Sequence, residues 1–188
     1  MDDDGDVLPE PAQEVVPGLF VGEIAALSAD FLASNKINVV LSCGIALLST
    51  PLPVTVWMHG WFVLDDMPSA KIEPFLPSCV VFIQTALHRG LRVLVHCHAG
   101  VSRSCSVVTA YLIATQGLSA MRALRMLRSK RAEAMPNGGF MAQLRNFELR
   151  ARISSALLVE TDLPYSVSEL TLAFLFGSPA PLACADTS

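Results

Sequence analysis

His96-Cys97-His98-Ala99-Gly100-Val101-Ser102-Arg103-Ser104 is the stretch of this 188-residue chain that decides its fold. The run before it, Leu91-Arg92-Val93-Leu94-Val95, is apolar and β-branched and reads as a buried strand. The run after it, Val107 to Thr115, has no Gly or Pro and reads as a helix. A tight loop between a strand end and a helix start aims several backbone N–H groups, and the positive end of the helix, at one point. That point suits a phosphate, and the same field would favour the thiolate of a cysteine placed there. Cys97 is therefore the candidate nucleophile. Arg103 supplies a planar fork that can grip two phosphate oxygens, and Gly100 lets the chain turn without a Cβ in the way. The phosphate donors are then the N–H groups of His98, Ala99, Gly100, Val101, Ser102 and Arg103, with the Arg103 guanidinium.

Val95-His96-Cys97-His98-Ala99-Gly100-Val101-Ser102-Arg103-Ser104 resembles the signature loop of the dual-specificity protein phosphatases, the small branch of the cysteine-dependent tyrosine phosphatase superfamily. Two further stretches are similar to motifs of that family. Val16-Pro17-Gly18-Leu19-Phe20-Val21-Gly22 looks like its opening strand, and Pro136-Asn137-Gly138-Gly139-Phe140, followed by Gln143-Leu144, looks like its Pro-Asn-x-Gly-Phe-x-x-Gln-Leu motif. The resemblance runs over residues 15 to 152 in the right order. It implies that Ser104 hydrogen-bonds the cysteine sulfur and helps it leave, and that His96 helps to hold the thiolate. One departure is Ala132 after Arg131, where the family commonly has Pro.

Phosphoester cleavage needs an acid to protonate the departing oxygen. Asp65 and Asp66 follow the strand-like Trp61-Phe62-Val63-Leu64. In the family the acid precedes a hydrophobic residue by six positions and an aromatic by nine. From Asp66 these offsets fall on Ile72 and Phe75; from Asp65 they fall on Lys71 and Pro74, so Asp66 is preferred. The implied reaction has two steps: Cys97 attacks phosphorus while Asp66 protonates the leaving group, then Asp66 activates water against the phosphocysteine. The expected substrates are proteins phosphorylated on tyrosine and on serine or threonine. Lipid and RNA phosphatases would use the same loop, but lipid-directed relatives usually carry lysines in it, where this chain has His98, Ala99 and Val101. A catalytically weak phosphate-binding module is the non-enzyme alternative, and its members typically lose the nucleophile. A rhodanese-like sulfur transferase is a weaker third, since its loop is usually one residue shorter.

Neither a cofactor nor a metal is expected. Five cysteines in no even framework, and an acidic start from Met1 to Asp6 unlike a signal peptide, predict a reducing compartment, cytoplasmic and also nuclear. Although 52% of residues are hydrophobic, no run reaches the length of a membrane span. Charge is uneven. Residues 1 to 16 hold six acids and no bases, whereas residues 121 to 152 hold eight of the thirteen Lys and Arg, with Glu133 and Glu148 as the acids. That basic stretch would attract acidic, phosphorylated partners, but no aromatic lies among its densest charges, Arg122 to Arg131, so nucleic-acid binding is not expected.

Strands are predicted near 19–21, 37–43, 54–64 and 91–96, and helices near 28–36, 72–88, 104–117, 119–131 and 138–152. This alternation predicts an α/β fold with a central, largely parallel sheet of four to five strands flanked by helices, and the loop at a strand's C-terminal end. Residues 1–14 are expected to form a disordered acidic terminus, 15–152 the catalytic domain, and 153–188 a tail. In that tail Leu170-Thr171-Leu172-Ala173-Phe174-Leu175-Phe176 could pack as a short helix or dock a partner. His59 and His88 read as surface residues. Cys43 ends the strand-like Asn38-Val39-Val40-Leu41-Ser42. A cysteine at a similar strand end in the tensin-type lipid phosphatases can pair with the catalytic cysteine, which makes Cys43 a candidate redox partner of Cys97.

Overall fold

Apolar runs bounded by turn residues become strands, and amphipathic runs become helices, in a computed structural model that describes residues 10–44, 51–159 and 183–186. In chain order these are β1 (Ala12–Val16), β2 (Leu19–Gly22), α1 (Ala29–Ser34), β3 (Val39–Cys43), β4 (Met58–Phe62), α2 (Leu76–His88), β5 (Val93–His96), α3 (Arg103–Gln116), α4 (Ala120–Arg128), α5 (Gly138–Val159) and β6 (Ala183–Asp186). They build one sheet of order β1-β2-β5-β3-β4-β6. The four inner strands run parallel, and β1 and β6 close the two edges in antiparallel pairing.

Strands β2, β3 and β5 are buried at every position, as parallel strands with both faces covered must be. Alternate side chains feed two cores. On one face Leu19, Val21, Leu41, Val93 and Val95 pack with α2, α3, α4 and α5; on the other, Phe20, Val40 and Leu94 pack with Leu32 of α1. α4 shows the logic of a surface helix. Ala120, Ala123, Leu124 and Leu127 are buried at spacings of three and four, Arg122, Arg125 and Arg128 are exposed, and the Ser119 hydroxyl accepts from the Arg122 N–H to cap its start.

The largely parallel sheet flanked by helices is as expected, with differences at its edges. The acidic terminus expected to run to residue 14 gives way at Ala12, where β1 begins. Ala12 and Val15 bury against β2 while Glu14 stays at the open edge, accepting from the Gly18 N–H and pairing with Arg92 at 3.3 Å. A charged edge strand of this kind gives little periodic signal. The strand expected over 54–64 contracts to Met58–Phe62. The helix expected to end at 152 continues to Val159, and the tail contributes β6. The apolar segment Leu170–Phe176 lies outside the described residues. Among the described residues, no helix is long and apolar enough to cross a membrane.

Candidate active site

Parallel strands end together, so β5, β3 and β4 bring Cys97, Cys43 and Phe62 to the same end of the sheet. The chain leaving β5 turns through residues 97–102 into α3, with Gly100 at φ +66°, a conformation that a side chain rarely tolerates. The carbonyls of this turn are held from outside. His98 O accepts from the Ile24 N–H, Val101 O from the Met135 N–H, and Gly100 O from Arg131 Nε at 2.7 Å and from the Cys105 thiol. Arg131 also reaches Ala99 O and donates to Gln13 of β1. The N–H groups of residues 98 to 102 have no partner among the described residues. With the carbonyls drawn outward, these N–H groups form a concave set of donors suited to an anion. Ser102 starts α3 without capping it, so the positive helix end also faces the cradle.

Cys97 is buried in this turn, with Sγ 3.2 Å from Ser104 Oγ. Arg103 Nη1 donates to the carbonyls of Gly44 and Leu64 at 2.8 and 3.3 Å, tying the guanidinium to the ends of β3 and β4. Its buried Nε lies 3.4 Å from Asp66 Oδ2 as an ion pair without hydrogen-bond geometry, a donor that a phosphate oxygen would satisfy. Asp66 Oδ1 accepts from Ser102 Oγ at 2.7 Å and from Asn137 Nδ2 at 2.8 Å. Among the described residues, the Asp65 side chain makes no hydrogen bond or ion pair. His98 is exposed at the rim.

The Pro-Asn-Gly-Gly-Phe stretch acquires a role that its sequence did not announce. Asn137 Oδ1 caps α5 by accepting from the Phe140 N–H, while its amide holds Asp66. A Cβ on Gly139 would overlap the Pro68 backbone, so glycine permits the close approach of α5 to the loop carrying Asp66. Gln143 bridges that loop, donating to Ala70 O and accepting from the Glu73 N–H.

Beneath the turn, His96 is fully buried, and its Nε2 lies 2.7 Å from Ser42 Oγ. Burial pushes the imidazole down to about 4. His59, expected on the surface, is half-buried, and its Nε2 meets the same hydroxyl at 2.8 Å. Burial also pushes the Cys43 thiol well up and that of Cys105 to about 12, leaving both protonated.

The family described as "Dual specificity phosphatase, catalytic domain" matches residues 19–150 of this chain. The chain belongs to the dual-specificity phosphatase family. It is similar to dual specificity protein phosphatase 1B of Arabidopsis thaliana, 38% identical over 136 residues that cover 72% of this chain and 80% of that one. It is also similar to the longer dual specificity protein phosphatase MPK-4 of Drosophila melanogaster, 38% identical over 77% of this chain and 38% of that protein. Among solved structures, human DUSP28 superposes with a TM-score of 0.71 at 29% identity, covering 77% of this chain and 97% of that one. Human tyrosine phosphatase-like serine/threonine/tyrosine-interacting protein superposes at 0.65 and 29% identity, covering 73% and 95%. As a dual-specificity phosphatase domain, the chain is a cysteine-dependent protein phosphatase.

Proposed function

We propose that the domain over residues 15–152 hydrolyses phosphotyrosine and phosphoserine or phosphothreonine esters of proteins through a phosphocysteine. The N–H groups of residues 98–103 and the Arg103 guanidinium hold the non-bridging phosphate oxygens. The Cys97 thiolate attacks phosphorus in line, the phosphorus–oxygen bond to the substrate breaks, and Asp66 gives its proton to the departing oxygen. Asp66, now a carboxylate, takes a proton from water as that water attacks phosphorus, and the thiolate leaves, helped by the Ser104 hydroxyl. Fixed N–H donors around the developing charge supply the largest part of the acceleration. The observation that carries this reading is the set of unpartnered N–H groups around Cys97, with Asp66 tied beside Arg103.

The first test is turnover of an aryl phosphate by the wild type, Cys97→Ser and Asp66→Ala. Loss in the first variant and a drop of about 10²- to 10⁴-fold in the second are expected. An active Asp66→Ala would move the acid to Asp65, and an inactive, folded wild type would leave a phosphate-binding module. Buried free thiols suit a reducing compartment; a cytoplasmic or nuclear location is proposed on that ground, and imaging of a tagged chain checks it.

Cys43 is proposed as the redox partner of Cys97. It follows the Ser42–His96 register pair by one residue, so it faces Cys97 across parallel strands spaced about 4.8 Å apart, a separation a disulfide can span. Peroxide would convert Cys97 to a sulfenic acid with release of water. The Cys43 sulfur would then displace a second water to form the disulfide. Peptide mapping after peroxide treatment should find the Cys43–Cys97 link, and its absence would sink the idea.

A further inference from the structure

Arg131 is buried, yet its guanidinium is matched by neutral oxygens alone. Nε donates to Gly100 O at 2.7 Å, Nη2 to Ala99 O at 3.4 Å and Nη1 to Gln13 Oε1 at 2.6 Å. Among the described residues no acid lies within ion-pair distance of it. Glu133, two residues on, is exposed, where solvent and salt screen its charge. A buried cation without an anion is costly. Here the three oxygens satisfy its N–H groups, but its charge stays uncancelled.

Two of those oxygens belong to the cradle. Gly100 O and the Val101 N–H are the two ends of one peptide unit, and so are Ala99 O and the Gly100 N–H. Both N–H groups are among the unpartnered donors that would meet phosphate oxygens. A cation at the carbonyl end polarises the unit and strengthens the N–H at the other end as a donor. Arg131 can thus act on the anion through two peptides without touching it. Gln13 governs how much of its charge remains to do so. The Gln13 amide faces one way: Nε2 donates to Glu10 O at 2.7 Å, a group that only accepts, which leaves Oε1 for Arg131. β1 holds the residue firmly, lying so close to β2 that a Cβ on Gly22 would overlap Ala12 and the Pro11 carbonyl.

We propose that Gln13 is a positioning residue for phosphate binding: a neutral acceptor that fixes the Arg131 guanidinium on the Ala99 and Gly100 carbonyls and leaves its charge to the incoming anion. A glutamate at this position would grip the guanidinium as well and cancel its charge. The inference rests on the loop N–H groups being the phosphate site.

Inorganic phosphate titrated into the intact chain, followed by proton–nitrogen-15 NMR, tests it together with thermal unfolding. Gln13→Glu should bind phosphate about tenfold more weakly, the effect of one nearby charge cancelled. The Gly100 and Val101 amide protons of the unliganded variant should move upfield. Its unfolding midpoint should be no lower than that of the wild type, because the hydrogen bond to Arg131 is kept. Gln13→Leu loses that hydrogen bond but keeps the charge, so it should unfold earlier and bind phosphate less than about threefold more weakly. A merely structural strap predicts the reverse order of affinities. Phosphate bound by Gln13→Glu as tightly as by the wild type, or more weakly by Gln13→Leu than by Gln13→Glu, would overturn the proposal. A wild type that shows the expected order but turns over no aryl phosphate would overturn the phosphatase reading alone.

Discussion

Asp66 is held from three directions by Ser102, Asn137 and Arg103. A carboxylate at a loop end would otherwise sample many rotamers, and part of the rate enhancement in general acid catalysis comes from restricting them. Asn137→Ala removes one of these holds and leaves the N–H cradle alone. It should lower kcat about tenfold while the inhibition constant of inorganic phosphate stays unchanged, as steady-state kinetics with phosphate as inhibitor would show. His96 makes a prediction about pH. Its folded value of about 4 lies below the ordinary 6.5, so between these values the unfolded chain binds more protons. Stability is therefore fully present above pH 6.5 and falls as the pH drops toward 4, by roughly 3 kcal/mol in all. Urea midpoints at pH 7.5, 6 and 5 should decline accordingly, and His96→Asn should flatten the slope.

At the scale of elements, α5 links chemistry to packing. Its first turn caps itself through Asn137, and its buried face, with Phe140, Leu144 and Phe147, anchors it in the core. Gln143 and Gly139 bind the loop carrying Asp66 to the same helix. Gly139→Val forces Pro68 away. It should destabilise the protein by about 1–3 kcal/mol and lower kcat more than it changes phosphate affinity, measured by thermal unfolding together with kinetics. The strand–loop–helix order around Cys97 was legible from its apolar runs and turn residues, and so was α4 from its period. β1 was not, because Gln13 and Glu14 interrupt the apolar pattern and the strand is stabilised by pairing with β2 rather than by its own composition. The links from Asn137 to Asp66 and from Ser42 to His96 join residues 71 and 54 positions apart, a distance over which local pattern carries no information.

The whole molecule decides what its surface does. β6 covers the outer edge of β4, and an uncovered edge strand is a template for pairing with another chain. Removing residues 160–188 should therefore produce concentration-dependent self-association, read by light scattering, with aryl phosphate turnover retained because the cradle on β5 and α3 is intact. The exposed Arg122, Arg125 and Arg128 on α4, beside Lys130, form the basic face anticipated from charge counting. Any attraction of such a face for acidic phosphopeptides would be screened by salt. With rising ionic strength, kcat/KM should fall more for an acidic phosphopeptide than for a neutral aryl phosphate.

By itself the sequence determined the α/β fold class and the strand–loop–helix that carries Cys97 and Arg103, whereas the preference for Asp66 over Asp65 came from the resemblance to the family. The fold class and the loop follow from signals local to the chain: the period of apolar residues and a glycine at a turn. The tertiary structure alone decided that Asn137 and Ser102 hold Asp66, that Arg131 draws the loop carbonyls outward, and that His59 joins His96 through Ser42. Each of these depends on parallel strands ending at one edge of the sheet and on helices packed over it. That geometry brings distant residues within hydrogen-bond reach, and no local pattern records it.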